Sequence, residues 1–162
     1  MGKADIGLIG LAVMGRNLVL NMNDHEFTLA VFNRTVSKVD DFLGQGAKGT
    51  RIRGAHSLPE LVGMLKRPRR VMRLVQAGPA VDDFIKKLIP LLEKGDIIID
   101  GGNSNYNDTI RRTAQVEAKG LLYIGTGVAR RAPDHLPGRR YDGDRGAGAR
   151  LCAGRLGAHP RR

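Results

Sequence analysis

Short apolar runs alternate with longer segments of helical periodicity along the first 125 or so residues. Residues 4–10 read as a first strand and residues 13–24 as a first helix. The run Phe27-Thr28-Leu29-Ala30-Val31-Phe32 reads as a second strand that stops at Asn33-Arg34-Thr35. A helix from about residue 36 places Val39, Phe42 and Leu43 on one face, and Gly44 or Gly46 ends it. Ser57-Leu58-Pro59-Glu60 is a capping box with proline near the first turn, and it opens a short helix to Lys66. Residues 70–76 form the next strand, and Pro79 starts a helix through Val81, Phe84, Ile85 and Leu88 to Leu92. Residues 97–100 are apolar without alternation, as expected where helices cover both faces of a parallel sheet. A polar helix over about 105–119 and a last strand at 121–125 complete the series.

Strands alternating with helices in this way predict an α/β fold, a doubly wound and mostly parallel sheet with helices on both faces. The pattern then fails. From position 129 onward, 24 of 34 residues are Arg, Gly, Ala or Pro, and no Ile, Phe, Met, Ser or Thr occurs. Such a segment cannot offset its chain entropy by burial, so disorder is expected there. The expected division is a domain over 1–128 followed by a separate tail over 129–162.

Charge supports that division. The formal net charge is +11, but the tail carries nine Arg against three Asp, or +6 from about a fifth of the chain. The remaining +5 suits an anionic ligand without requiring nucleic acid. The single cysteine, Cys152, cannot form an internal disulfide, and no apolar stretch reaches the length of a membrane span. No secretory pattern opens the chain, and Ile6 breaks a myristoylation signal at Met1-Gly2. A cytoplasmic protein with no membrane partner is expected.

In an open α/β sheet, ligands bind beyond the carboxyl ends of the strands, so the loops at 10–15, 33–35, 76–78, 100–104 and 125–128 matter most. Gly10-Leu11-Ala12-Val13-Met14-Gly15 has the dinucleotide-binding spacing, with Ala12 in the middle-glycine position. Gly10 permits the turn off the strand, Ala12 leaves room for a pyrophosphate, and Gly15 lets the helix lie close to the sheet. Met14 could pack on a nicotinamide ring or fill the core. At the end of the second strand an NAD site carries Asp or Glu for the ribose 2′-OH. Asn33-Arg34-Thr35 instead offers a guanidinium and two hydrogen-bonding side chains, which suit a 2′-phosphate, so NADP is favoured over NAD. Asn103 and Ser104 could bond a substrate or the nicotinamide, or equally cap the next helix. No histidine lies in a metal-like cluster, and no Ser/His/Asp arrangement is evident.

The glycine turn, Asn21-Met22-Asn23-Asp24-His25, the run from Asn33 to Leu43, and Ile98-Ile99-Asp100-Gly101-Gly102-Asn103-Ser104 together resemble the decarboxylating 6-phosphogluconate dehydrogenase family. The resemblance covers about 1–128, that family's N-terminal coenzyme domain of Rossmann type. It implies oxidation of 6-phosphogluconate at C3 by NADP⁺ and decarboxylation to ribulose 5-phosphate, in the pentose phosphate pathway and gluconate utilization. It further implies that residues 10–15 contact the coenzyme, Asn33, Arg34 and Thr35 the 2′-phosphate, and Val75, Gln76 and Ala77 the adenosine side. Asn103 would touch both coenzyme and substrate. The β-hydroxyacid dehydrogenases share the glycine turn but not usually the run from Asn33 to Leu43, and stand as the alternative family.

This chain also departs from that family. Gln76 stands where the family has Lys, and Arg73 replaces an aliphatic residue in a central strand. A charge there costs several kcal/mol, on the order of a buried ion, unless it snorkels or pairs. After Gly125-Thr126-Gly127-Val128 the family continues Ser-Gly-Gly, whereas here Ala129-Arg130-Arg131 follows. The family's catalytic Lys and Glu, and the helical domain that forms its homodimer, are expected to be missing, so the chain is expected to bind NADP(H) weakly and to be inactive alone. Arg/Gly/Ala/Pro richness is what an off-frame reading of GC-rich DNA produces. Some codon choices for residues 132–142 read, one base along, as Pro-Thr-Ile-Phe-Pro-Gly-Gly-Asp, close to the family's next motif. Sequencing the coding DNA tests this frameshift. A basic arm for nucleic acid is the contrasting reading of the tail, disfavoured because only Tyr141 is available for stacking. A small dehydrogenase complete within 162 residues is disfavoured too, for want of an acid–base pair.

Overall fold

The computed structural model describes residues 2–75, 78–102 and 104–126. The tail expected to be disordered therefore lies outside the described residues. Six strands, β1 (Ile6–Ile9), β2 (Leu29–Phe32), β3 (Ile52–Ala55), β4 (Arg70–Arg73), β5 (Ile97–Asp100) and β6 (Leu122–Gly125), form one sheet in the order β3-β2-β1-β4-β5-β6. Every pairing is parallel. The helices are α1 (Val13–Asp24), α2 (Ser37–Gln45), α3 (Leu58–Gly63), α4 (Pro79–Leu88) and α5 (Tyr106–Glu117). The doubly wound α/β sheet expected from the pattern is present.

Parallel strands need crossovers, and the crossover helices divide between the two faces. One face packs Leu8, Leu29, Val31, Ile52 and Met72 against Val19 of α1 and Val39 and Phe42 of α2. The other packs Ile9, Val71, Ile98 and Tyr123 against α3, α4 and α5 through Leu61, Ile85, Leu88 and Val116. Burying each such side chain contributes about 1.5–3 kcal/mol. This double burial explains why the strands read as continuous apolar runs. Among the described residues no helix is long and apolar enough to cross a membrane.

Several boundaries differ from the hydrophobic pattern. β3 has no counterpart in it, because Ile52-Arg53-Gly54-Ala55 offers too few large apolar residues to mark a strand. β3 is held instead by its pairing with β2 and by van der Waals contact between Gly54 and α2: a Cβ at Gly54 would come within 2.6 Å of both Val39 and Leu43. α3 ends at Gly63 rather than at Lys66. Its cap is built much as the motif requires, with the Ser57 hydroxyl accepting from Glu60 N–H at 3.2 Å. The Glu60 carboxylate, however, accepts from His56 N–H at 2.7 Å, one residue before the cap. α4 stops at Leu88 and tightens into a 3-10 turn over residues 89–91, since Pro90 has no N–H to continue the α-helical ladder.

Candidate coenzyme crevice

The strand order reverses between β1 and β4, because β2 continues on one side of β1 and β4 is laid down on the other. The loops leaving these two strands diverge to opposite faces and open a crevice at the carboxyl rim of the sheet. Gly10 leaves β1 at φ 107°, and a Cβ there would lie 2.4 Å from the Leu74 carbonyl oxygen. A Cβ on Gly15 would lie 1.9 Å from the Gly10 carbonyl oxygen. Glycine at both positions thus has a steric cause. The twelve-residue α1 begins after Ala12, whose methyl side chain cannot cap it, so side chains leave its first N–H groups uncapped. Ala12 and Val13 are exposed. Met14 is half-buried and, among the described residues, is in neither core cluster.

The end of β2 is tied directly to this turn. Leu11 N–H donates to the Asn33 side-chain oxygen at 3.1 Å, and the Asn33 amide nitrogen donates to the Thr35 carbonyl at 3.0 Å. At the carbonyl of the same residue, Arg16 Nε donates to Leu11 at 3.1 Å, while its guanidinium lies 5.9 Å from the centre of the Phe42 ring. Asn33 therefore fixes the spacing between the glycine turn and the 33–35 loop. Arg34 and Thr35 are exposed, and no carboxylate pairs with Arg34 among the described residues.

Across the crevice, Val75 follows β4 half-buried, and Gly10 would meet its side chain at 3.5 Å if it carried a Cβ. Gln76, Ala77 and Asn103, named from the sequence as coenzyme residues, lie outside the described residues. Ser104 does not cap α5. Asn105 does, its side-chain oxygen accepting from Asn107 N–H at 2.9 Å. The capping alternative for Ser104 is thus corrected. Ser104 is released to donate its hydroxyl to Asp100 Oδ2 at 2.6 Å.

Asp100 is the hub of a buried polar cluster that the sequence did not announce. Its Oδ1 accepts from Gly102 N–H at 3.0 Å, and Oδ2 accepts from Ser104 and, at 3.1 Å, from the Tyr123 hydroxyl. Arg73 from β4 completes it as an ion pair, so the charge expected to be costly in a central strand is paired. Its Nε and Nη1 have no partner. Burial pushes the Tyr123 phenol up from its ordinary value, against the Arg73 guanidinium beside it. A cleft of about 290 Å³ opens above the cluster, lined by Asp100, Gly102, Ser104, Tyr106, Thr109, Gly125 and Thr126. Behind it, Arg112 of α5 holds Asp82 of α4, and the two hydrogen bonds hold the Asp82 carboxyl down at about 2. Asp100, Tyr123, Asp82 and Arg112 were missed because their partners are set by strand register and by the packing of α4 against α5, which no local motif encodes.

A family model described as the NAD binding domain of 6-phosphogluconate dehydrogenase matches residues 5–134. Decarboxylating 6-phosphogluconate dehydrogenase of Homo sapiens is 62% identical over 144 residues, covering 85% of this chain and 30% of the relative. The enzyme of Cunninghamella elegans is 63% identical over 141 residues, covering 83% and 29%. The chain thus spans about 30% of the length of the curated relatives it matches. Among solved structures, Plasmodium falciparum 6-phosphogluconate dehydrogenase, determined in its apo form, with NADP⁺ and with 6-phosphogluconate, superposes with a TM-score of 0.72 at 43% identity. That match covers 76% of this chain and 27% of the other. Mycobacterium tuberculosis 3-hydroxyisobutyrate dehydrogenase (TM-score 0.67, 18% identity, 79% and 41% covered) shares the fold.

Proposed function

Because the chain belongs to the family of the NAD-binding domain of 6-phosphogluconate dehydrogenase, we propose that its task is to hold NADP(H) across the crevice between β1 and β4. The observation that carries this reading is the hydrogen bond between Leu11 N–H and Asn33. It brings a turn that excludes side chains at positions 10 and 15 beside a loop whose exposed cation is Arg34.

The residues fit the dinucleotide. Gly10, Leu11, Ala12, Val13, Met14 and Gly15 present backbone and an uncapped helix start to a pyrophosphate, where the helix dipole favours negative charge. Arg34 and Thr35 take the 2′-phosphate with charge-assisted bonds, with Asn33 setting their place. The family resemblance assigns Val75, Gln76 and Ala77 to the adenosine side, and Asn103 to contact with both coenzyme and substrate. The bound coenzyme supplies hydride transfer, and the chain's own residues bind and orient it. The domain extends over 1–128, with 129–162 a separate segment. Our reading is that, within an enzyme about three times as long, this domain serves oxidative decarboxylation of 6-phosphogluconate to ribulose 5-phosphate in a cytoplasmic homodimer.

Titration with NADP⁺ and NAD⁺, followed by thermal shift and calorimetry on the purified chain, tests the proposal. A rise in melting temperature with NADP⁺ and a much smaller one with NAD⁺ is expected. Equal response to both coenzymes, or to neither, would sink it.

A further inference from the structure

The Arg112 guanidinium is almost wholly buried, at 1% exposure, and its fork reaches three separate segments. Nε and Nη2 donate to the two Asp82 oxygens of α4, each at 3.0 Å. Nη2 also donates to the Gly78 carbonyl at 3.2 Å, and Nη1 donates to the Ser104 hydroxyl at 3.3 Å. Gly78 ends the loop from β4 to α4, and Ser104 lies in the loop from β5 to α5, just before its cap Asn105. Both loops lie at the carboxyl rim, one beside Val75 and the other beside Asp100. Each is therefore fixed to the same rigid ion rather than to its own helix alone.

We propose that Arg112 is a positioning residue that couples the β4–α4 loop at Gly78 to the β5–α5 loop at Ser104, so that the side of the coenzyme crevice built by β4 and β5 keeps one shape. The inference deepens the coenzyme reading above and rests on it. Three features support a coupling role over simple packing. The guanidinium bonds to loop atoms as well as to its carboxylate partner. Its acceptors come from two different crossovers. Ser104 passes the contact on to Asp100, whose other oxygen holds Gly102 N–H, so the fork governs the loop from both ends. A lysine ammonium at position 112 is a single point charge. It cannot bond Asp82 through both oxygens while reaching Gly78 and Ser104. Neighbouring Arg111 reaches the same carboxylate from solvent, at 54% side-chain exposure, and touches neither loop among the described residues.

The test uses the whole chain and the variants Arg112→Gln, Arg112→Lys, Ser104→Ala and Arg111→Gln. Amide hydrogen exchange is read first, without coenzyme. In both Arg112 variants, exchange is expected to rise about tenfold at Gly78 and at Gly101, Gly102 and Ser104, with amides of β2 and α2 unchanged. Ser104→Ala should raise exchange at the second loop alone, and Arg111→Gln at neither. NADP⁺ affinity should fall about five- to twentyfold in the Arg112 variants, and lysine should not rescue it. Uniformly faster exchange in the Arg112 variants, or a rise at one loop only, overturns the coupling. Loosened loops with unchanged NADP⁺ affinity overturn the positioning role. If Arg112→Gln does not fold, Arg112→Lys and Ser104→Ala decide by the same readings. Failure of the wild-type chain to bind NADP⁺ overturns the coenzyme reading and the positioning role with it, while the exchange data separately decide the coupling.

Discussion

Arg73 and Asp100 are register partners on adjacent parallel strands, and their side chains pair at 0% and 1% exposure. The two ends of this pair are unequal. Asp100 keeps three other donors, from Gly102, Ser104 and Tyr123, whereas Arg73 leaves Nε and Nη1 without partners. Arg73→Leu removes the orphaned donors but leaves a buried carboxylate without its cation, held by three hydrogen bonds, so it should cost less than the about 3–5 kcal/mol of stranding an unpaired buried charge. Asp100→Asn strands a buried guanidinium and should cost about 3–5 kcal/mol. Urea denaturation of the two variants checks this, and equal large losses would contradict it.

Arg34 is expected to set coenzyme preference. Its exposed guanidinium can make charge-assisted bonds to a phosphate, each contributing about 1.5–3 kcal/mol. Arg34→Gln should weaken NADP⁺ about ten- to a hundredfold while leaving NAD⁺ nearly unchanged. Calorimetry with both coenzymes gives the ratio.

The two glycines of the first turn should not tolerate even alanine. Gly15→Ala forces a methyl to 1.9 Å from the Gly10 carbonyl oxygen, so the turn must open or the fold must yield. Loss of several kcal/mol, of the order seen for severe overpacking, is expected together with loss of NADP⁺ binding. Gly44→Ala is the control: it lies within α2 and a Cβ there meets nothing within 4 Å. That change should stabilise by about 0.4–1 kcal/mol. Thermal melts of both variants separate the two cases.

Acid should release α4 from α5. The Arg112 fork lowers the folded Asp82 carboxyl from 3.8 to about 2, so folding favours its charged form. The stability it contributes is fully present above the unfolded value and fades as pH falls from about 4 toward 2. With partial solvent screening, about 1–2 kcal/mol is at stake. Urea midpoints of wild type and Asp82→Asn should differ at pH 6 and converge near pH 2. A constant gap across that range would contradict the assignment.

What could be read from the sequence were features that local geometry enforces. Gly10 and Gly15 follow from a turn's own sterics, and Asn33-Arg34-Thr35 stands where a parallel strand must end. Helix α1 and strand β5 were bounded to the residue, since a capless start after glycine and an unbroken Ile run leave little choice. The roles of Asp100, Ser104 and Arg112 were not legible. Ser104 had two open uses, and only the cap made by neighbouring Asn105 frees it for Asp100. Arg73 was flagged by its charge, but its partner lies 27 positions away and is chosen by the β4–β5 register. β3 escaped because its burial comes from α2 and α3 rather than from its own side chains.

All six strands run the same way, so the opposite rim carries a different load. There Asp96 accepts from Arg69 N–H at 2.7 Å, from Glu93 N–H at 2.9 Å and from the Arg69 guanidinium at 3.0 Å, while Lys66 pairs with Asp5. These groups bond mainly to one another, although Arg69 Nε is left without a partner among the described residues. An engineer could retune thermal tolerance from that end, redesigning the Lys66 and Arg69 contacts, while coenzyme selectivity is adjusted independently from the other.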